Sequence, residues 1–100
     1  MNEITTLEQL QEITSKTKTI AYFSAPWCGP CRSLGPIVEE LSTELSDVQV
    51  VKINIDDSTE IPAKYAIRSV PTLILIEHEQ EKKRLVGTRS KTDVKKEFEL

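Results

Sequence analysis

Two cysteines, Cys28 and Cys31, stand two residues apart in Ala25-Pro26-Trp27-Cys28-Gly29-Pro30-Cys31, and they are the only cysteines among the 100 residues. On the first turn of a helix, positions i and i+3 share one face, with Cβ atoms about 5–6 Å apart. A modest rotation brings their sulfurs to bonding distance, inside the Cα separation of roughly 4.4–6.8 Å that a disulfide tolerates. Pro30 suits the start of such a helix, because its missing N–H costs nothing there and its φ is already helical. Cys28 then falls at or near the N-cap, where free amides and the positive end of the helix dipole favour a thiolate over a thiol. Cys31, one turn further in, is expected to be less exposed. The asymmetry suggests two roles: Cys28 attacks, and Cys31 resolves.

Two plainer readings compete with redox chemistry. A structural disulfide closing four residues removes only about 2 kcal/mol of unfolded-chain entropy, and a chain of 100 residues buries a core without that help. A metal site needs two more ligands of the right type, whereas no third cysteine exists and His78 is the only histidine. The spacing favours redox chemistry and leaves both alternatives open.

The elements that must position the pair follow from the apolar pattern. Ile20, Tyr22 and Phe23 make residues 19–24 a strand that Pro26 ends. Leu34, Ile37, Val38, Leu41 and Leu45 recur at three and four, the stripe of a helix from Cys28 to about Leu45 that packs on a sheet. Pro36 is expected to kink it, since it offers no N–H to the preceding turn. The cysteines therefore sit where a strand runs into a helix, a position at which open α/β sheets place their sites.

Upstream, Ile4 suggests a short edge strand, and Thr5 and Thr6 with Glu8 and Gln9 resemble a capping box opening a helix that carries Leu7, Leu10 and Ile13. Downstream, residues 48–55 are apolar enough for a central strand, and Ile61 to Tyr65 suit a short helix. Residues 72–76 form a strand. Arg84 to Val86 is expected as its antiparallel neighbour, although the connection at His78 to Glu81 lacks the glycine that marks tight hairpins. Ser90 and Asp93 cap a last helix anchored by Val94 and Phe98. The sum is a single α/β domain spanning residues 1–100, a central mixed sheet of four to five strands with helices on both faces.

Trp27-Cys28-Gly29-Pro30-Cys31 resembles the active-site signature of the thioredoxin family. Further similarities follow in order: Pro36, Lys52-Ile53-Asn54-Ile55-Asp56, Arg68-Ser69-Val70-Pro71-Thr72 and Val86-Gly87. The resemblance implies the thioredoxin fold and a protein-disulfide reductase acting by dithiol–disulfide exchange on disulfide-containing target proteins. It further implies recharging by a flavoprotein reductase that draws on NADPH, no bound cofactor in the domain itself, and a monomer. It implies a cis bond before Pro71, which an isolated X-Pro bond rarely adopts. The backbone of Val70 is then expected to pair with the incoming substrate chain as an added strand. Trp27, Gly29, Pro30, Val70, Pro71 and Gly87 would form an apolar docking surface that reads shape and backbone rather than charge.

The pattern is broken where chemistry is at stake. Thioredoxins usually carry a buried aspartate five residues before the motif tryptophan, credited with moving the proton of the resolving cysteine, and this chain has Tyr22 there. A phenol titrating near 10 is a poor base at neutral pH. Lys52, the lysine that normally accompanies the aspartate, is retained, and Tyr22 is expected to hydrogen bond to Lys52 or to water beneath the sulfurs. Pro26, Ser24 and the glycine-free hairpin are smaller departures that bear on partner choice.

Composition narrows the remaining classes. A net charge of −3 with interspersed signs does not recommend nucleic acid as a partner. Lys82-Lys83-Arg84 reads as a solvated strand or turn. No segment approaches membrane-spanning length, and the polar first twenty residues speak against a secretory signal and for a cytoplasmic location. The rival in another class is a binding module or subunit that uses the same fold with dispensable cysteines.

Overall fold

A computed structural model describes residues 1–100. The elements are β1 (Asn2–Glu3), α1 (Leu7–Lys16), β2 (Lys18–Ser24), α2 (Gly29–Glu44), β3 (Val48–Asn54), α3 (Glu60–Lys64), β4 (Thr72–Glu77), β5 (Gln80–Val86) and α4 (Lys91–Glu97). They build one five-stranded sheet in the order β1-β3-β2-β4-β5. β1 and β2 run parallel to β3. β4 is antiparallel to both β2 and β5. This is the mixed sheet expected from the pattern.

Alternation along the strands sorts side chains to opposite faces, and the two faces carry separate cores. Ile20, Tyr22, Leu73 and Leu75 face Leu34, Val38 and Leu41 of α2 and Val94 of α4. Ala21, Phe23, Ile74 and Ile76 face Leu10 of α1 and Ile61 of α3. Each fully buried Leu, Ile or Phe contributes roughly 1.5–3 kcal/mol relative to exposure. β2, paired on both edges and buried over its last six residues, is the rigid centre from which the cysteine segment departs.

The helix caps explain where the chain turns. Thr6 caps α1, its Oγ1 accepting the Gln9 N–H at 3.2 Å while Gln9 Oε1 accepts the Thr6 N–H at 3.0 Å. Ser90 Oγ accepts the Asp93 N–H at 3.1 Å at the start of α4. α2 continues through Pro36 for 16 residues, so the Arg32 carbonyl lacks the N–H that residue 36 would ordinarily supply.

Several expectations need correction. The edge strand is Asn2–Glu3 rather than Ile4, whose N–H still donates to the Lys52 carbonyl at 3.0 Å. β3 has a neighbour on each side, as its apolar run leads one to expect, although its outer neighbour β1 has only two residues. β5 begins at Gln80, earlier than Arg84, because His78 and Glu79 alone make the turn, with φ of 52° and 65°. Two left-handed residues in succession are what a type I′ turn requires, and the Glu79 N–H donates to the Thr14 carbonyl of α1 at 3.2 Å. The missing glycine hid this turn. The basic run lies in β5, where Arg84 donates to the Tyr65 carbonyl and pairs with Glu81.

Candidate active site

β2 ends at Ser24, and a tight turn carries the chain into α2: the Cys28 N–H donates to the Ala25 carbonyl at 3.2 Å. Cys28 is the N-cap, with Gly29 and Pro30 as the first two helical residues. Cys28 and Cys31 are joined by a disulfide with a Cα separation of 5.3 Å. The Cys31 N–H donates to Cys28 Sγ at 3.2 Å, so a backbone amide at the helix start already points at this sulfur.

The expected difference in exposure is not found. In the bonded state the two cysteines are 4% and 6% exposed. What separates them is the hydrogen bond that Cys28 Sγ accepts from the Cys31 N–H.

Around the pair the chain assembles an apolar bed and an open rim. Ala25 packs with both cysteines, and Ile55 and Val70 pack against that group. The Val70–Pro71 peptide bond is cis. The buried Pro71 carbonyl accepts the Gly87 N–H at 2.9 Å, and Gly87 has the left-handed φ of 89° that a glycine adopts freely. Trp27 is 66% exposed, and its Nε1–H donates to Asp56 Oδ1 at 3.4 Å. Gly29 and Pro30 are exposed beside it. An indole tethered by its polar edge with its faces free is a surface for apolar contact.

Beside the disulfide lies an open pocket of about 620 Å³ that reaches both cysteines and is lined also by Tyr22, Arg32 and Lys52. Tyr22 and Lys52 are partners in the β2–β3 register. The expected Tyr22–Lys52 hydrogen bond is absent: the Tyr22 phenol donates instead to the Cys31 carbonyl at 3.0 Å, because the side chain points along the sheet face toward the first turn of α2. Burial pushes the Tyr22 phenol above its ordinary 10.0, with the Ser24 hydroxyl pulling weakly the other way. It stays protonated at neutral pH and serves as a donor. Sequence reasoning missed Asp56 as the Trp27 anchor and Ala25 and Ile55 as the bed. Asp56 enters there only within the stretch that resembles the family, and nothing local marks its distant partner.

A family model described as Thioredoxin matches residues 2–99. The chain is 45% identical over 95 residues to the thioredoxin of Mycoplasma genitalium, covering 94% of this chain and 93% of that one. It is 45% identical over 83 residues to the thioredoxin of Rickettsia bellii, covering 82% and 79%. The structure of a single-substitution mutant of the thioredoxin from Halobacterium salinarum superposes with a TM-score of 0.88 at 33% identity, covering 95% of this chain and 84% of that one. No helix is long and apolar enough to cross a membrane. With its cysteines joined across one helical turn and the match running through nearly the whole chain, this protein belongs to the thioredoxin family and is a thiol–disulfide oxidoreductase.

Proposed function

We propose that the chain, acting as one domain and as a monomer, works in the reducing direction on disulfides of other proteins in the cytoplasm. The Cys28 thiolate attacks one sulfur of the target disulfide. A Cys28–target mixed disulfide forms, and the other target sulfur leaves as a thiolate. Cys31 then loses its proton and attacks Cys28 Sγ; the Cys28–Cys31 bond forms, the second target sulfur departs and takes up a proton. Two electrons pass to the target, and a flavoprotein reductase drawing on NADPH returns them.

The observation that carries this reading is the Cys31 N–H aimed at Cys28 Sγ from the N-terminus of α2. An amide donor and the positive end of a 16-residue helix both stabilise negative charge on that sulfur after the bridge opens. Trp27, Gly29, Pro30, Val70, Pro71 and Gly87 form the docking surface, with the Val70 backbone receiving the target chain as an added strand. Lys52 and Tyr22 support the pair from behind.

The test is turnover of a protein disulfide with NADPH and a thioredoxin reductase. Cys31→Ser is expected to trap a mixed disulfide with the target, and Cys28→Ser with Cys31→Ser to abolish turnover. A double variant that kept full function would return the chain to the class of binding modules with dispensable cysteines.

A further inference from the structure

We propose that Tyr22 is a positioning residue that holds Cys31 in attack range of Cys28 once the disulfide has opened. This rests on the reading of Cys31 as the resolving thiol. Tyr22 is 2% exposed, and its phenol donates to the Cys31 carbonyl at 3.0 Å, a contact from the central strand to the first turn of α2. No other side-chain hydrogen bond joins that turn to the sheet.

The first turn needs such an anchor. Pro36 supplies no N–H to the Arg32 carbonyl, so the ladder is interrupted one residue beyond Cys31 and the turn is joined less firmly to the rest of α2. Cavity space lies on the same side, lined by Tyr22, Cys31, Arg32 and Lys52. With the bridge closed, the bond between sulfurs holds Cys31. With it open, the helix backbone, the apolar packing with Ala25, Ile55 and Val70, and the phenol do, and of these only the phenol is a directional tie from the sheet.

The chemistry balances without a protein base beside Cys31. As Cys31 attacks, its proton passes to water in the cavity, the Cys31–Cys28 bond forms, the Cys28–target bond breaks, and the departing target thiolate takes a proton from water. No net oxidant or reductant is needed beyond the target itself. Tyr22 contributes geometry, and water carries the proton.

Tyr22→Phe keeps the ring in the core and removes only the donor. The loss of one hydrogen bond is expected to lower the rate of target release from the mixed disulfide roughly threefold to tenfold. Alkylation of Cys28 in the reduced protein should be unchanged. The Cys28–Cys31 disulfide should become correspondingly easier to reduce against glutathione, where a tenfold change is about 30 mV. Unchanged release and unchanged potential would overturn the proposal. So would an equal slowing of Cys28 alkylation and of release, which marks general loosening. A slowly exchanging Tyr22 hydroxyl proton in NMR spectra of the reduced wild-type protein is the second expected result, independent of how the variant folds; its absence would also overturn the proposal. Failure of Cys31→Ser to trap a mixed disulfide would instead remove the underlying assignment of roles, whatever Tyr22 does.

Discussion

The Cys31 backbone N–H donates to Cys28 Sγ across 3.2 Å, so the residue that closes the disulfide also solvates the sulfur that opens the reaction. In the reduced protein, iodoacetamide at pH 7 is expected to modify Cys28 on the order of tenfold faster than a free cysteine, and Cys31 more slowly. Mass spectrometry of the labelled peptides decides the order. Equal labelling would show that the helix start does not hold Cys28 as a thiolate.

Trp27 is held at its Nε1–H by Asp56 while most of its surface stays open. Trp27→Ala is expected to leave thermal stability within roughly 0.5 kcal/mol, as for an exposed surface position. It should raise KM for a protein disulfide and have little effect on a small aromatic disulfide. Steady-state kinetics on the two substrates separate these outcomes.

Tyr22→Asp asks whether position 22 has a hand in proton movement. The buried phenol sits above 10.0 and is neutral throughout pH 6–9. The wild-type release profile over that range should therefore follow a single thiol ionisation. A buried carboxylate adds a second ionisation, and single-turnover release from the variant should show an extra inflection. Superimposable profiles would show that position 22 has no influence on this step.

Glu79 is held at φ 65° in the β4–β5 turn. A left-handed residue with a Cβ costs roughly 1–2 kcal/mol, against roughly 0.5–1 kcal/mol of extra chain entropy lost by glycine. Glu79→Gly is expected to stabilise the protein by up to about 1 kcal/mol in urea unfolding, and Glu79→Val to destabilise it, since a β-branched residue fits this region poorly.

Lys91 and Lys95 of α4 both donate to Glu44 of α2, which pulls the Glu44 carboxyl from 4.5 down to about 2, Lys91 contributing first and Lys95 next. A depressed carboxylate stabilises the fold above its ordinary value and loses that contribution as pH falls toward the folded value. The urea midpoint of wild type should exceed that of Glu44→Gln above pH 4.5, and the gap should close by about pH 2. Added salt should narrow it, because the pair is exposed.

The cysteine pair, the strand-to-helix junction and the two-faced sheet were legible in the chain because each rests on local spacing. Cys28, Pro30 and Cys31 mark a helix start within four residues, and the apolar runs at 19–24 and 72–76 mark strands of a sheet covered on both faces. The connection at His78 to Glu81 was legible, but its narrowing to His78 and Glu79 was not, because their positive φ values occur without a glycine to mark them. Tertiary structure alone decided that Tyr22 reaches the Cys31 carbonyl instead of Lys52. It alone decided that Asp56 holds Trp27 across 29 residues, and that both cysteines are equally buried when joined. The physical reason is common to all of these: propensity and period act through neighbours a few residues apart, whereas a donor finds its acceptor only after the packed sheet has fixed the distance between them.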